Sequence, residues 1–143
     1  MKKGFTLLEL VVVIIILGVL ATLGITQYGR MVERGRAAEA KTILGDLRKL
    51  ASAYRMGHGT IDGFENADAN IGTDPDMIPS ECAGTHYFCY NVEPNDPSIT
   101  ITATRCGESG KTPQGGAAAD KTLTLTSNLT TGVDTWGGDG HYY

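Results

Sequence analysis

Three sets of residues have the types and spacing to do chemistry. The first is a lone carboxylate, Glu9, within the 22 residues from Phe5 to Thr26, which carry no other charge. A carboxylate inside an apolar helix costs about 2.5–3.5 kcal/mol on membrane-insertion scales, and such residues are functional by default. It calls for a cation. Cutting the chain after Gly4 would give Phe5 a new α-ammonium, but Glu9 stands at i+4 from Phe5 and does not easily fold back to its own terminus on a rigid helix. An adjacent copy, shifted by about one 5.4 Å turn, brings its ammonium to this carboxylate. The charge therefore reads as an assembly device.

The second set is Cys82, His86, Cys89 and Cys106, the residue types of a zinc site. On a strand, His86 and Cys89 point to opposite faces and cannot both reach one ion without a bulge. The third is Asn66, Asp68, Asn70 and Gly72, which invite comparison with a calcium loop. Its glycine comes one place late, and Met77 stands where a bidentate glutamate is wanted. A solvated loop is the better reading, and neither a metal nor another cofactor is expected. His58 and His141 stand alone among glycines, and Asn128-Leu129-Thr130 fits an N-glycosylation pattern that is common by chance. With no nucleophile–base pair and no phosphate loop, an enzyme is not expected.

The elements that must carry these residues divide the chain in two. All five prolines and 13 of the 19 glycines lie after residue 56, so the first half reads as uninterrupted helix. Residues 28–55 carry seven Lys/Arg against three Asp/Glu; residues 56–143 carry three against twelve. A head this acidic argues against nucleic-acid binding, which needs clustered cations. The apolar run is long enough to cover roughly 33 Å, about the thickness of a bilayer's hydrocarbon core, and longer than the apolar stretch of a secretory signal peptide. Beyond Tyr28, the residues Ile43, Leu44, Leu47, Leu50, Ala51 and Tyr54 recur at spacings of three and four, one apolar stripe for packing on a sheet. Gly57 and Gly59 should end the helix.

The opening Lys2-Lys3-Gly4, then Phe5-Thr6-Leu7-Leu8-Glu9 and an apolar run ending in Ile25-Thr26-Gln27-Tyr28, resembles a class III prepilin leader joined to the amino-terminal helix of a type IV pilin or pseudopilin. The resemblance covers roughly residues 1–55. It implies a leader, residues 1–4, removed by a prepilin peptidase that cuts between Gly4 and Phe5 and methylates the new Phe5 amine. It also implies that Glu9 neutralises the amine of a neighbouring subunit. Thr26 stands where the family usually has proline. Lys2 and Lys3 favour a cytoplasmic amino terminus, whereas Arg30, Arg34 and Arg36 close behind the other end count against it; the leader resemblance decides for the former.

Residues 57–84 are rich in Gly, Asn, Asp and Pro and read as a long surface loop. Three strands follow. Phe88, Tyr90 and Val92 share one face of the first; Ile99, Ile101 and Ala103 one face of the second; Leu123 and Leu125 one face of the third. Glu93 to Ser98 forms the turn between the first two, and Asp134 to Gly140 reads as a terminal turn whose Trp136 covers the sheet edge. If Val92 pairs with Ile99, residue 85 lies opposite Cys106 and Cys82 is near it. In an oxidising compartment this favours Cys82–Cys106, while Cys89–Cys106 requires a two-residue shift of pairing. The expected fold is α+β: a long helix over 5–56, membrane-spanning over 5–27, packed on a small antiparallel sheet within a head at 57–143. This is also the pilin fold that the resemblance implies.

The functions implied are, first, a type IV pilus subunit polymerising with copies of itself and related pilins, held in the inner membrane before assembly and extracellular after it. Second is a periplasmic pseudopilin of a type II secretion system. A third, from a different class, is a single-span membrane protein whose head binds a ligand without polymerising. Cleavage after Gly4 separates the third from the other two.

Overall fold

The structure, a computed structural model, describes residues 4–107, 111, 113 and 121–139. Met1 to Lys3 of the expected leader, and His141 with the chain end from Gly140, lie outside the described residues. One helix dominates. Helix α1 runs unbroken over Leu7–His58, 52 residues or about 78 Å at 1.5 Å per residue. It passes without interruption through Gly24 and Thr26. Gly57 does not end it; Gly59 does, because its φ of 80° supplies the left-handed cap and its N–H donates to the Arg55 carbonyl at 2.8 Å.

The carboxyl-terminal half of α1 is one wall of the core. Ala37, Ala40, Leu44, Leu47 and Ala51 are buried, with Ile43 and Tyr54 packed beside them. Leu50, expected on this stripe, is 42% exposed. At 100° per residue it turns away from the line through Leu47 and Ala51. The facing wall is an antiparallel sheet in the order β3-β4-β5-β6, with β3 Phe88–Asn95, β4 Ser98–Arg105, β5 Thr122–Asn128 and β6 Val133–Gly138. Alternation places Phe88, Tyr90, Val92, Ile99, Ile101, Ala103, Leu123 and Leu125 against the helix, as read from the sequence.

Three expectations are corrected. The segment read as a terminal turn is a fourth strand: β6 pairs along β5, with Trp136 opposite Leu125 on the helix side and the Lys41 ammonium 5.9 Å from its ring centroid. Its Gly-rich, acid-bearing sequence hides a strand, since Gly138 sits at φ 106° where a Cβ would strike the Thr122 carbonyl oxygen. The register is also shifted by two: Val92 lies opposite Ile101, because Asp96 and Pro97 alone turn the chain and the strands continue through Asn95 and Ser98. Pro94 is tolerated within β3 because β3 is an edge strand.

Finally, the surface loop over 57–84 is not wholly solvated. Ile61, Phe64, Ala69 and Ile71 are buried, and β1 Ile71–Gly72 pairs in parallel with β2 Ile78–Pro79. Asp96 secures this cap: its Oδ1 accepts from Arg55 Nε at 3.1 Å and Ile61 N at 3.2 Å. Those two bonds, the Arg55 one foremost, hold its carboxyl below the usual carboxylate range.

At the end of the head nearest the apolar half-helix, a buried ion pair replaces apolar packing. Glu33 on α1 is 2% exposed and Arg105, the last residue of β4, is fully buried. Arg105 Nε donates to Glu33 Oε2 at 2.9 Å and its Nη2 to Oε1 at 3.1 Å, a bidentate pair. Its Nη1 donates to the carbonyls of Tyr87, Cys106 and Lys111 at 3.1, 2.7 and 2.7 Å, and Arg36 also pairs with Glu33. Removing one partner of such a pair leaves an uncompensated buried charge, at a cost of about 3–5 kcal/mol. Glu33→Gln is therefore expected to lower head stability by about that amount in urea unfolding, whereas Asp46→Asn, on an exposed i,i+3 pair with Lys49, is expected to change it by less than about 0.5 kcal/mol.

Candidate functional site

The amino-terminal half of α1 has no protein covering it. Every described side chain from Gly4 to Tyr28 is exposed, including Leu7 at 82% and Ile25 at 73%. A soluble monomer does not present an apolar cylinder of this length to water. The segment meets the length and composition of a membrane-crossing helix. Thr22 donates its hydroxyl to the Gly18 carbonyl one turn back at 2.9 Å, so its polar group is satisfied within the helix.

Glu9 stands in the first turn, where its carboxylate has a local role that the sequence reading did not assign. Thr6 is the N-cap: its Oγ1 accepts from Glu9 N at 3.2 Å, while Glu9 Oε2 accepts from Thr6 N and from Thr6 Oγ1, both at 2.8 Å. This is a reciprocal capping box, and Thr6-Leu7-Leu8-Glu9 has its T-x-x-E spacing in plain view. A carboxylate at a helix N-terminus also meets the positive end of the helix dipole. The acid thus has partners in its own chain, although none of them is a cation. Both Thr6 bonds fall on Oε2, so Oε1 retains acceptor capacity toward a further donor.

The structure brings the three cysteines together. Cys82 and Cys106 are joined in a disulfide, and the Cys89 sulfur lies 3.5 Å from Cys82 Sγ and 3.8 Å from the Thr104 carbonyl oxygen. The two-residue shift of register puts Tyr87, rather than residue 85, opposite Cys106, and Cys106 N donates to the Tyr87 carbonyl. The bond still goes to Cys82 because Cys89, opposite Thr104, stands inside the ladder while Cys82 arrives from the segment before β3.

His86 does not join the sulfurs. Its Nε2 lies 2.7 Å from the Glu81 carbonyl and 3.1 Å from Ala83 N, and its Nδ1 lies 3.0 Å from the Thr85 hydroxyl. The would-be calcium residues are committed to the fold: Asn66 Oδ1 accepts from Val92 N, its Nδ2 donates to Asn91, and Asp68 accepts from Glu65 N. Burial first, then the charges of Glu39 and Cys89, push the Tyr90 hydroxyl far above its ordinary value, so it stays neutral inside the core.

Comparison with known proteins agrees with this geometry. Residues 1–25 match the prokaryotic N-terminal methylation motif. The chain is 28% identical over 103 residues to a type IV major fimbrial protein FimA of Dichelobacter nodosus, covering 71% of this chain and 63% of that protein. It is 31% identical over 77 residues to a fimbrial protein of Neisseria meningitidis serogroup B, covering 54% and 45%. It is 27% identical over 107 residues to the type IV major pilin protein PilE1 of Neisseria gonorrhoeae, covering 75% and 61%. The aligned chain thus spans about half to under two thirds of the length of these curated relatives. The resemblance to type IV pilins is met both in the motif and in a long helix laid on a small antiparallel sheet.

Non-reducing peptide mapping is expected to recover one cross-linked pair, Cys82 with Cys106, and to find Cys89 alkylated. A cross-linked peptide containing Cys89 overturns the pairing.

Proposed function

We propose that this chain is a pilin, a structural subunit that polymerises through its amino-terminal helix into a type IV pilus filament with copies of itself and related pilins. The observation that carries the reading is the bare apolar half of α1, which bears the methylation motif and continues without a break into the wall of the head. One helix can then serve two environments in turn: the bilayer, as a single-pass precursor of the inner membrane, and afterwards the core of an extracellular fibre. The relatives carry fimbrial and pilin names, which supports the pilus over a secretion pseudopilus.

In this reading residues 1–4 are the leader, 5–27 the span and fibre core, and 57–143 the head. A prepilin peptidase cuts between Gly4 and Phe5 and methylates the Phe5 amine. The amine of one subunit then pairs with Glu9 of the next. Methylation leaves the ammonium's charge in place, so the pair survives the modification. The capping box does not compete with it, since the Thr6 bonds occupy only Oε2.

Intact-mass measurement of assembled protein is expected to show a subunit beginning at N-methylated Phe5, with ten Lys/Arg against sixteen Asp/Glu once Lys2 and Lys3 are gone, a formal charge of −6. Retention of Met1 in filaments refutes the processing.

Two substitutions separate charge from cap at Glu9. Gln is accepted at the third position of a capping box, so Glu9→Gln keeps the helix start while deleting the charge, and Glu9→Val deletes both. Both are expected to insert in the membrane at least as well as the unaltered chain, to fold a disulfide-bonded head, and to give few or no filaments as the only copy present. Normal filament numbers by electron microscopy from Glu9→Gln, with loss only from Glu9→Val, would show that the cap and not the charge matters.

A further inference from the structure

The cations of the head and stalk mostly have carboxylates: Arg48 with Asp134, Lys49 with Asp46, Arg55 with Asp96, Arg105 with Glu33, Lys121 with Asp139. Lys41 and Lys111 lie instead against the rings of Trp136 and Tyr87, which leaves Arg30 and Arg34. Both are exposed and, among the described residues, neither has an ion-pair partner. They lie one turn apart on the same side of α1, directly past the apolar run. A third exposed cation joins them from the head. Lys111 has its ammonium 4.6 Å from the Tyr87 ring centroid, and Arg36 covers the same ring at 4.1 Å. The Lys111 backbone is tied in turn to Arg105, which sits on Glu33. The end of the head facing the apolar half-helix is therefore a basic collar. The carboxylates placed there among the described residues are already taken: Glu33 is buried and shared by Arg36 and Arg105, and Asp139 pairs with Lys121.

Distance along the helix says what this collar meets. With the hydrocarbon segment ending at Gln27, Arg30 and Arg34 follow about 4.5 and 10.5 Å further on, at 1.5 Å per residue. The headgroup layer is about 5–8 Å deep on each side of a bilayer. Side chains on a helix lean toward its N-terminus, here toward the membrane, and arginine stems are long enough to bring both guanidinium groups into that layer. Exposed Tyr28 stands at the boundary, where aromatic residues sit with one end apolar and the other wet. The remainder of the head is acidic, with residues 56–143 carrying twelve Asp/Glu against three Lys/Arg. An anionic surface thus attracts the collar and repels what lies above it.

We infer that Arg30, Arg34 and Lys111 form a docking collar for anionic phospholipid headgroups, which seats the head upright on the membrane surface before assembly. The inference rests on the membrane-spanning precursor proposed above.

The test uses the full chain reconstituted in vesicles of phosphatidylcholine mixed with phosphatidylglycerol, extracted in mild detergent, with the lipid retained by the protein then quantified. The unaltered chain is expected to retain phosphatidylglycerol over phosphatidylcholine, with a preference that falls as salt is raised. Arg30→Gln, Arg34→Gln and Lys111→Gln together are expected to abolish it, at roughly fivefold per cation near the surface. Lys49→Gln, on the same helix but away from the collar, is expected to leave it intact. Equal retention of the two lipids by the unaltered chain, or a preserved preference in the triple variant, overturns the inference. A triple variant that keeps the lipid preference but loses filaments assigns the collar to a neighbouring copy and overturns it equally. A chain that alkaline carbonate strips from the vesicles sinks both this inference and the spanning precursor. An unaltered chain that shows the lipid preference but forms no filaments sinks only the pilin reading.

Discussion

The buried pair between Glu33 and Arg105 decides where on the helix the head begins. The part of the apolar stripe nearest the pair is Ala37 and Ala40, small and nearly featureless, while the larger Leu44 and Leu47 lie further along. A bidentate guanidinium–carboxylate contact tolerates no slip along the helix, because each partner misplaced is a charge left out of water. The same arginine reaches three backbone carbonyls, so the ends of β4 and of the segment preceding β3 are located by the same side chain. Arg48 on Asp134 and Arg55 on Asp96 repeat the arrangement further along, binding β6 and the β3–β4 turn to the helix. These two are partly exposed and individually weaker.

Fixing the head at Glu33 leaves the helix before it free of any duty to the head's core. Between Gly4 and Tyr28 the described side chains touch no other element, and their composition answers only to what surrounds them from outside. One helix is thereby bare on one side of a short boundary and buried on the other, with the change occurring over about two and a half turns: Tyr28 exposed, Glu33 buried, Ala37 in the core. Continuity of the helix across that change is what transmits any force or position from the apolar half to the head.

Periodic features of this fold were legible in the sequence, and singular ones were not. The inward faces of β3, β4 and β5 follow from alternation, and most of the helix stripe from three-and-four spacing. Arg105 breaks the rule by which Ile99, Ile101 and Ala103 were placed. It occupies the next inward position of the same alternation, but an arginine there reads as the strand's exit rather than as core. Only the matching acid at Glu33, 72 residues away, makes its burial possible, and no local pattern announces that. Strand β6 was missed because glycine and acid are depleted in strands generally, yet an edge strand needs only one satisfied side. The register differs by two because Glu93 to Ser98 reads as one turn, whereas β3 runs on through Pro94, whose missing N–H costs nothing at a sheet edge. The cap over 57–84 buries Ile61, Phe64, Ala69 and Ile71 without any period, so composition alone suggested a loop.

Glu9 shows how a carboxylate is accommodated at the start of an apolar helix. In a single chain the carboxylate is out of place among apolar neighbours, and the capping box is what makes it tolerable, with donors from the Thr6 backbone and hydroxyl answering one oxygen. Those donors are neutral and exposed, so they orient the carboxylate without neutralising it. Both bonds fall on Oε2, so the other oxygen stays outside the capping box. At the third helical position the capping box uses one of the carboxylate's two oxygens and leaves the other without a bond to Thr6.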